Sequence, residues 1–256
     1  FFENLKKLSI YHQKKSKLYE KLIKNLNIDF NKIKRIEEFP MIPVSLFKKF
    51  DLLSIKKEKI VKTMVSSGTS GSGFSKIFLD KENAKMQSRV LDKIFKSNFG
   101  SERLPMLIID KDPRLSSNKI FDAKLAAIYG FSIFGKNHCY LLNNNNEIDY
   151  IKLNNFLTKF SSQKFFIFGF TSFIFKYLAK ELSLKSLSKN FENGVLIHGG
   201  GWKKLEKEKI SNLQFKKILK NKIKIRHVYN YYGMVEQTGS IFFESKKCGY
   251  FHTTLF

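Results

Sequence analysis

The chain has 256 residues, of which 43% are hydrophobic, so it is long and apolar enough to bury the core of one large α/β domain. Its formal net charge is +25, yet only five of its 47 basic residues are arginines, and the lysines are spread along the whole length. Because arginine is the side chain best suited to reading bases and gripping phosphates, this composition argues against a specific nucleic-acid-binding protein.

The sequence also limits the cellular location. No apolar run is long enough to cross a membrane, and no signal-peptide pattern is present. The two cysteines, Cys139 and Cys248, lack the spacing of a metal site. These features predict a cytoplasmic protein in a reducing compartment. Because the chain starts at Phe1 without Met and stops at Phe256 inside an apolar run, we interpret it as a fragment of a longer protein.

The first predicted elements lead to an unusual loop. A helix is predicted over residues 3–25, and two prolines predict an extended segment over 39–48. Two short strands, 60–65 and 75–80, then flank a loop made only of Ser, Thr and Gly, Ser66–Gly73. Free backbone N–H groups in such a loop form an anion-binding concavity. It is not a Walker A loop, because no Lys follows the last glycine. Taken alone, such a loop is better interpreted as a flexible Ser/Gly hairpin.

The rest of the chain alternates between helix and strand. Helices are predicted at 81–98, 118–129, 149–160, 171–182 and 206–220, and strands at 104–110, 138–142, 164–168, 195–198, 225–230, 241–244 and 250–256. This alternation predicts a mostly parallel sheet with helices on both faces. A weakly marked boundary within the domain is predicted near residues 99–104. Asp110, Asp112 and Arg114 fall at the C-terminal end of a strand, where open α/β sheets bind ligands. For Asp110, however, capping of the next turn is the commoner role of an aspartate at the end of a strand.

A second motif, Asn230–Gln237 (NYYGMVEQ), pairs with the early SSGTSG loop. Together they resemble the adenylate-forming superfamily of acyl- and aryl-CoA synthetases, luciferases and adenylation domains, although Val235 stands where that family usually has Thr. Further stretches most resemble the acyl-protein synthetase family of the bacterial luminescence fatty-acid reductase system. They are IPVSLFK, LPMLIID followed by Asp-Pro-Arg, HGGGWKKL, and YGMVEQTGSIFFE with a later Phe-His. The similarity runs through nearly the whole chain.

The resemblance implies a fold and a reaction. Residues 1–256 would form the N-terminal domain of an adenylate-forming enzyme, with the small C-terminal lobe missing. The enzyme would use ATP and Mg²⁺ to convert a carboxylic acid, a fatty acid by family analogy, to an acyl-adenylate. It would then pass the acyl group to a thiol, a protein cysteine or CoA, with a fatty-acid reductase subunit as a further partner. A phenylacetate-type CoA ligase and a catalytically silent scaffold module remain alternatives.

The resemblance also implies site residues. The phosphates of ATP would be bound by Ser66, Ser67, Gly68, Thr69, Ser70, Gly71 and Lys76. Adenine would lie against Gly200, Gly201, Tyr232 and Gly233, and the acyl pocket would involve Phe170, Thr171, Phe173 and His198. Glu236 would hold Mg²⁺ and, with Thr69, would be catalytic. Neither Cys139 nor Cys248 matches the family's acyl-accepting position, and His252 is interpreted as structural. For His198, a purely structural role as a packed histidine at a strand end is an equally good interpretation.

Overall fold

A computed structural model describes residues 1–66, 73–115, 123–182 and 191–253. The chain divides into two compact units. Unit 1 comprises residues 1–87, 121–123 and 235–238, and unit 2 comprises residues 88–120, 124–234 and 239–256. The interpretation of residues 1–256 as a single adenylate-forming domain with a boundary near 99–104 stays a prediction. No helix among the described residues is both long and apolar enough to span a membrane.

Unit 1 contains short helices and one hairpin. Its elements are α1 (Phe2–Lys15), α2 (Lys17–Asn25), α3 (Leu46–Lys49), β1 (Lys62–Val65) and β2 (Lys76–Leu79). The helix predicted over 3–25 is interrupted, because Ser16 has an extended backbone and its hydroxyl accepts a hydrogen bond from the Tyr19 N–H, which caps α2. The segment predicted to be extended over 39–48 runs into the helical turn α3. β1 and β2 pair antiparallel on either side of the Ser/Thr/Gly loop.

Unit 2 is built on one seven-stranded sheet. Its elements are the C-terminal half of α4 (Lys81–Phe99), then β3 (Leu104–Lys111), α5 (Ala123–Ser132), β4 (Gly135–Leu142), α6 (Tyr150–Phe160), β5 (Phe165–Phe170), α7 (Thr171–Phe173) with a π-helix (Ile174–Glu181), β6 (Gly194–Gly199), α8 (Asn212–Ile223), β7 (His227–Gly233), β8 (Ile241–Glu244) and β9 (Phe251–His252). The strand order is β4-β3-β5-β6-β7-β8-β9. The first five strands are parallel and the last two are antiparallel. The predicted α/β fold, with a mostly parallel sheet flanked by helices, is confirmed.

Both faces of this sheet are covered, because alternate residues of each central strand enter different cores. Leu107 and Ile109 of β3 pack with residues of α6, the π-helix and α8, which defines the α8 face. Met106 and Ile108 pack with α4 and α5, which defines the α5 face. The period of two is that of a β-strand, and near-continuous apolar strands are typical of a parallel sheet buried on both sides.

Several predicted boundaries need correction. The helix predicted over 206–220 is wrong at its start: Lys203–Glu208 forms a 3-10 helix, and α8 begins at Asn212 because Ser211 and Gln214 form a capping box. The strand predicted over 225–230 begins at His227 and continues to Gly233. The helix predicted over 118–129 is described only from Ala123, and residues 116–122 lie outside the described residues. The predicted cap of α4 is confirmed, since Asp80 Oδ1 accepts from the Asn83 N–H at 2.8 Å.

Candidate functional site

The C-terminal ends of the adjacent parallel strands β5, β6 and β7 lie side by side in the unit 2 sheet. Phe170 pairs with Gly199, and Gly199 pairs with Tyr231 on the next strand. Gly200 directly follows the end of β6, and Tyr232 is the next residue of β7, so both lie at the same end of these two adjacent strands. The structure thus brings together the predicted adenine-binding residues of two distant motifs, at the position where open α/β sheets bind ligands.

The glycines at the end of β6 create a surface of bare backbone. A side chain at Gly199 would place its Cβ 2.5 Å from Tyr231 Cε1, so no larger residue fits there. Gly200 has a φ of +77°, a conformation that favours glycine, and Gly201 has open space around it with nothing within 4 Å of a built Cβ. Tyr232 is 49% exposed. Bare backbone and an exposed aromatic side chain are both groups against which a flat ring can pack.

A buried hydrogen-bond chain holds the backbone beneath this surface. The Thr171 hydroxyl donates to the Gly199 carbonyl at 3.1 Å and lies 3.0 Å from His198 Nδ1. Because the single hydroxyl proton is directed at the carbonyl, the His198 Nδ1–H must donate to Thr171, which leaves Nε2 unprotonated. Thr171 and His198 therefore fix the carbonyl of Gly199.

His198 is a neutral, fully enclosed side chain. It is 1% exposed, and its Nε2 has no hydrogen-bond partner among the described residues. Burial, and secondarily the charge of Lys216, lowers the pKa of His198 to about 3. Its ring lies 4.7 Å from that of Phe215 on the α8 face. This geometry suits a positioning residue, and the role of His198 and Thr171 in lining an acyl pocket stays a prediction.

A polar row extends from His198 across the α8 face. His198 pairs with Asn230 on β7, and the β7–β8 register, continued by one residue, sets Asn230 opposite Glu244. Glu244 is 8% exposed, and its Oε1 accepts from Asn212 Nδ2 at 2.8 Å and from Lys216 Nζ at 2.6 Å. The sequence analysis missed this cluster. The available signal was a glutamate ending the apolar strand IFFE, together with Asn and Lys four residues apart on a helix.

On the α5 face, Asp110 forms a second buried ion pair. Lys124 Nζ lies 2.9 Å from Asp110 Oδ1 and 2.8 Å from Oδ2, and the Lys111 N–H also donates to Oδ1. The ammonium of Lys124 sits 4.5 Å from the ring centroid of Phe173. Asp110 thus holds the Lys124 ammonium close to Phe173, one of the residues predicted for the acyl pocket.

A separate cleft of about 530 Å³ lies along β4, the edge strand of the sheet. Its lining includes Asp112, Arg114, Tyr140 and Lys152. Arg114 is held by Asp112 through hydrogen bonds of 2.6–3.2 Å. Of the residues predicted to bind ATP or the acid, none that the structure describes lines this cleft.

The remaining predicted residues belong to unit 1. The Ser75 N–H donates to Ser66 Oγ at 2.9 Å and the Ser66 N–H to the Ser75 carbonyl at 3.0 Å, which closes the base of the Ser/Thr/Gly loop. Lys76 is half-exposed, with Nζ 3.7 Å from Asp51 Oδ1. Glu236 is half-buried and makes no ion pair with any described residue. Outside the described residues lie Ser67, Gly68, Thr69, Ser70 and Gly71.

Comparison with known proteins then identifies the family. A family model described as "Acyl-protein synthetase, LuxE" matches residues 2–248. The chain belongs to the LuxE acyl-protein synthetase family. The predicted resemblance is thereby confirmed over nearly the whole chain. No curated protein sequence matches this LuxE-family chain.

Solved structures give the same fold. An open conformation of 2-hydroxyisobutyryl-CoA ligase, in complex with 2-HIB-AMP and CoA, is similar to the LuxE-family chain with a TM-score of 0.67 and 10% identity. The match covers 97% of this chain and 52% of the ligase, so the chain spans about half the length of that structure. ATP-bound MatB from Rhodopseudomonas palustris matches with a TM-score of 0.45 and 15% identity, over 73% of this chain and 31% of MatB. The match to 2-hydroxyisobutyryl-CoA ligase shows that the LuxE-family chain has the fold of the corresponding part of that ligase.

Proposed function

We propose that this LuxE-family chain carries the ATP-dependent activation of a fatty acid to an acyl-adenylate, from which the acyl group passes to a protein cysteine thiol. Family membership supports a ligase of the acyl-protein synthetase type in general. The observation that carries the proposal is the position of Gly200, Gly201 and Tyr232 at the same end of the adjacent strands β6 and β7. Residues of two motifs about 30 residues apart in the sequence thus lie at adjoining strand ends.

In the proposed complex, adenine lies on the backbone of Gly200 and Gly201 and stacks on Tyr232, with Gly233 allowing the close approach. The hydrogen bonds from His198 to Thr171 and from Thr171 to Gly199 hold this backbone in place before the nucleotide arrives. Preorganised backbone of this kind lowers the entropic cost of binding.

We assign the phosphates to the loop Ser66–Gly71 and to Lys76, and the divalent cation to Glu236. Mg²⁺ is bound through one or two carboxylates plus phosphate oxygens and water rather than by an all-protein cage. A half-buried carboxylate that forms no ion pair with the described residues fits that need. When bound, Mg²⁺ would neutralise charge on the phosphates.

In the first step, a carboxylate oxygen of the acid attacks the α-phosphorus, and the bond to pyrophosphate breaks. The contribution of the protein is to align the two reactants and to stabilise developing negative charge with backbone and hydroxyl donors. We place the acid near Phe170, which ends β5 opposite Gly199, and near Thr171 and Phe173, which follow it in α7. The Lys124–Asp110 pair beside Phe173 supplies a fixed charge near that position.

In the second step, a thiolate attacks the acyl carbonyl and AMP leaves. The family description, an acyl-protein synthetase, supports a protein as the acceptor. We propose a cysteine as the accepting residue, a fatty-acid reductase subunit as the next partner, and a cytoplasmic location. CoA is the alternative acceptor, since the similar 2-hydroxyisobutyryl-CoA ligase was captured with CoA. That likeness concerns the fold, so the acceptor has to be tested directly.

The test of activation is ATP–pyrophosphate exchange by the full gene product with a panel of fatty and aromatic acids. Exchange should depend on one class of acid, with fatty acids as the expected class. Glu236→Gln should lower the rate by about 100-fold or more, the usual effect of removing one charge-stabilising group. Glu206→Gln is the matched control, because Glu206 is exposed and pairs only with Lys209 among the contacts described. Absence of exchange with every acid in a folded protein would overturn the proposal.

The test of the acceptor uses a radiolabelled acid that supports exchange. Label that stays on the denatured protein and is released by hydroxylamine indicates a cysteine thioester. Label that appears instead in a soluble thioester only when CoA is added would replace the protein acceptor by CoA.

A further inference from the structure

The turn between β8 and β9 brings a cysteine and a histidine into contact. The Ser245 N–H donates to the Tyr250 carbonyl at 2.8 Å, and the Gly249 N–H donates to the Ser245 carbonyl at 2.9 Å. Gly249 has a φ of +75°, the left-handed conformation that closes such a turn. With the turn closed in this way, Cys248 Sγ lies 3.1 Å from His252 Nε2.

Other groups around Cys248 also favour its thiolate. The Tyr250 N–H, His252 and the Ser245 hydroxyl, in that order, lower the pKa of Cys248 to about 7. The charged groups nearby are Lys246 and Lys247 in the turn. The nearby titratable group is His227 on β7, whose Nδ1 lies 3.3 Å from Lys246 Nζ, and burial together with the surrounding cations lowers the pKa of His227. Glu244 precedes the turn, but its carboxylate is buried on the α8 face with Asn212 and Lys216.

Cys139 provides a contrast within the same chain. It is half-buried, and its Sγ points at the Lys152 carbonyl at 3.8 Å. Burial raises the pKa of Cys139 to about 11. The two cysteines of the chain therefore have opposite chemistry: one is an exposed thiol facing an imidazole, and the other is a shielded thiol facing a carbonyl. Thiolate character and exposure together determine which cysteine reacts.

We propose that Cys248, paired with His252, is a reactive thiolate that small hydroperoxides oxidise to a sulfenic acid. His252 takes the thiol proton, and the sulfur attacks one peroxide oxygen. An S–O bond forms while the O–O bond breaks, so the sulfur is oxidised and the peroxide is reduced. The leaving group, hydroxide from hydrogen peroxide or an alkoxide from an alkyl hydroperoxide, takes the proton from the imidazolium and departs as water or as an alcohol. This site is independent of the proposed adenylation.

The experiment uses two single-cysteine variants of the 256-residue chain. Cys139→Ser leaves only Cys248, and Cys248→Ser leaves only Cys139. Each is treated with hydrogen peroxide and dimedone at pH 7.5, and sulfenic acid is measured by peptide mass spectrometry. We expect Cys248 to be labelled about ten times faster than Cys139 or more, since a thiolate is the reacting species. Equal labelling of the two cysteines in folded protein would overturn the proposal.

A second measurement separates pairing with His252 from simple exposure. The rate of iodoacetamide alkylation of the Cys139→Ser variant is followed against pH. The expected midpoint is near the pKa of about 7. Adding His252→Gln should raise the midpoint and slow alkylation at pH 7 by about threefold or more, because the thiolate fraction falls. A midpoint near 8.5, the value of an isolated thiol, or a rate insensitive to His252→Gln would contradict the assigned pairing.

Discussion

Burial of His198 predicts a specific loss of stability in mild acid. The pKa of His198 falls from its ordinary 6.5 to about 3 in the folded chain. Below pH 6.5 the unfolded chain takes up a proton at this position, whereas the folded chain does not until about pH 3. The stability present above pH 6.5 is therefore lost as the pH falls through this window.

The magnitude follows from the size of the pH step. Each pH unit within the window costs about 1.4 kcal/mol, so a change to pH 5.0, 1.5 units below 6.5, costs about 2 kcal/mol. The informative variant is His198→Asn, because the amide nitrogen can replace Nδ1 as the donor to Thr171 but carries no titratable group.

Urea unfolding at pH 7.5 and pH 5.0 measures the effect. The only tryptophan, Trp202, is buried with a ring centroid 6.1 Å from that of Phe215, which also packs on His198, so its fluorescence reports on this core. We expect the free energy of unfolding to fall by about 2 kcal/mol more in the unmodified chain than in His198→Asn. His138→Gln, which removes an exposed imidazole on β4, is the control. Identical pH dependence in the unmodified chain and in His198→Asn would refute the reasoning.

Three further predictions concern stability and can be measured by denaturant unfolding. Gly199→Ala should destabilise the chain by about 3 kcal/mol, because its Cβ would meet Tyr231 at 2.5 Å, whereas Gly201→Ala, in open space, should change stability by less than about 0.5 kcal/mol. Asp110→Ala should lower the free energy of unfolding by about 3 kcal/mol because it leaves the Lys124 ammonium without its carboxylate partner. A decrease below about 1 kcal/mol would show that water takes the place of that carboxylate. Glu244→Ala should likewise lower the free energy of unfolding by about 3 kcal/mol. Adding Lys216→Met should recover part of this loss, and no recovery would mean that the two side chains are not energetically coupled.

Much of the fold could be predicted because its signals are local and repeated. The alternation of apolar strands with amphipathic segments determined the parallel sheet, and the strand LPMLIID is buried on both faces as its continuous apolar character suggested. Helix boundaries were harder. The start of α8 depends on reciprocal hydrogen bonds between Ser211 and Gln214, and the lysine-rich pattern upstream concealed it.

The candidate site was only partly predictable for a different reason. Motif resemblance selected Gly200, Gly201 and Tyr232, and strand pairing brings them together. The environment of His198 depends on Phe215 and Lys216, which come from a helix following the strand, so its burial could not be read from neighbouring residues. Cys248 was dismissed because it lacked a metal spacing and a family match. Its contact with His252 depends on one glycine, Gly249, that sets the geometry of the hairpin.

The end of β6 is constrained from both sides of the sheet. From the α8 face, Thr171 holds the carbonyl of Gly199, and from the α5 face the ring of Tyr231 packs where a Gly199 side chain would be. The two faces of the sheet have separate hydrophobic cores, and side chains from both faces thus restrain the same peptide unit. Altering the shape of the adjacent surface by substitution would therefore require matched changes on both faces. A laboratory selection for a different ligand should more readily yield changes at Tyr232 or Gly201, which neither face restrains.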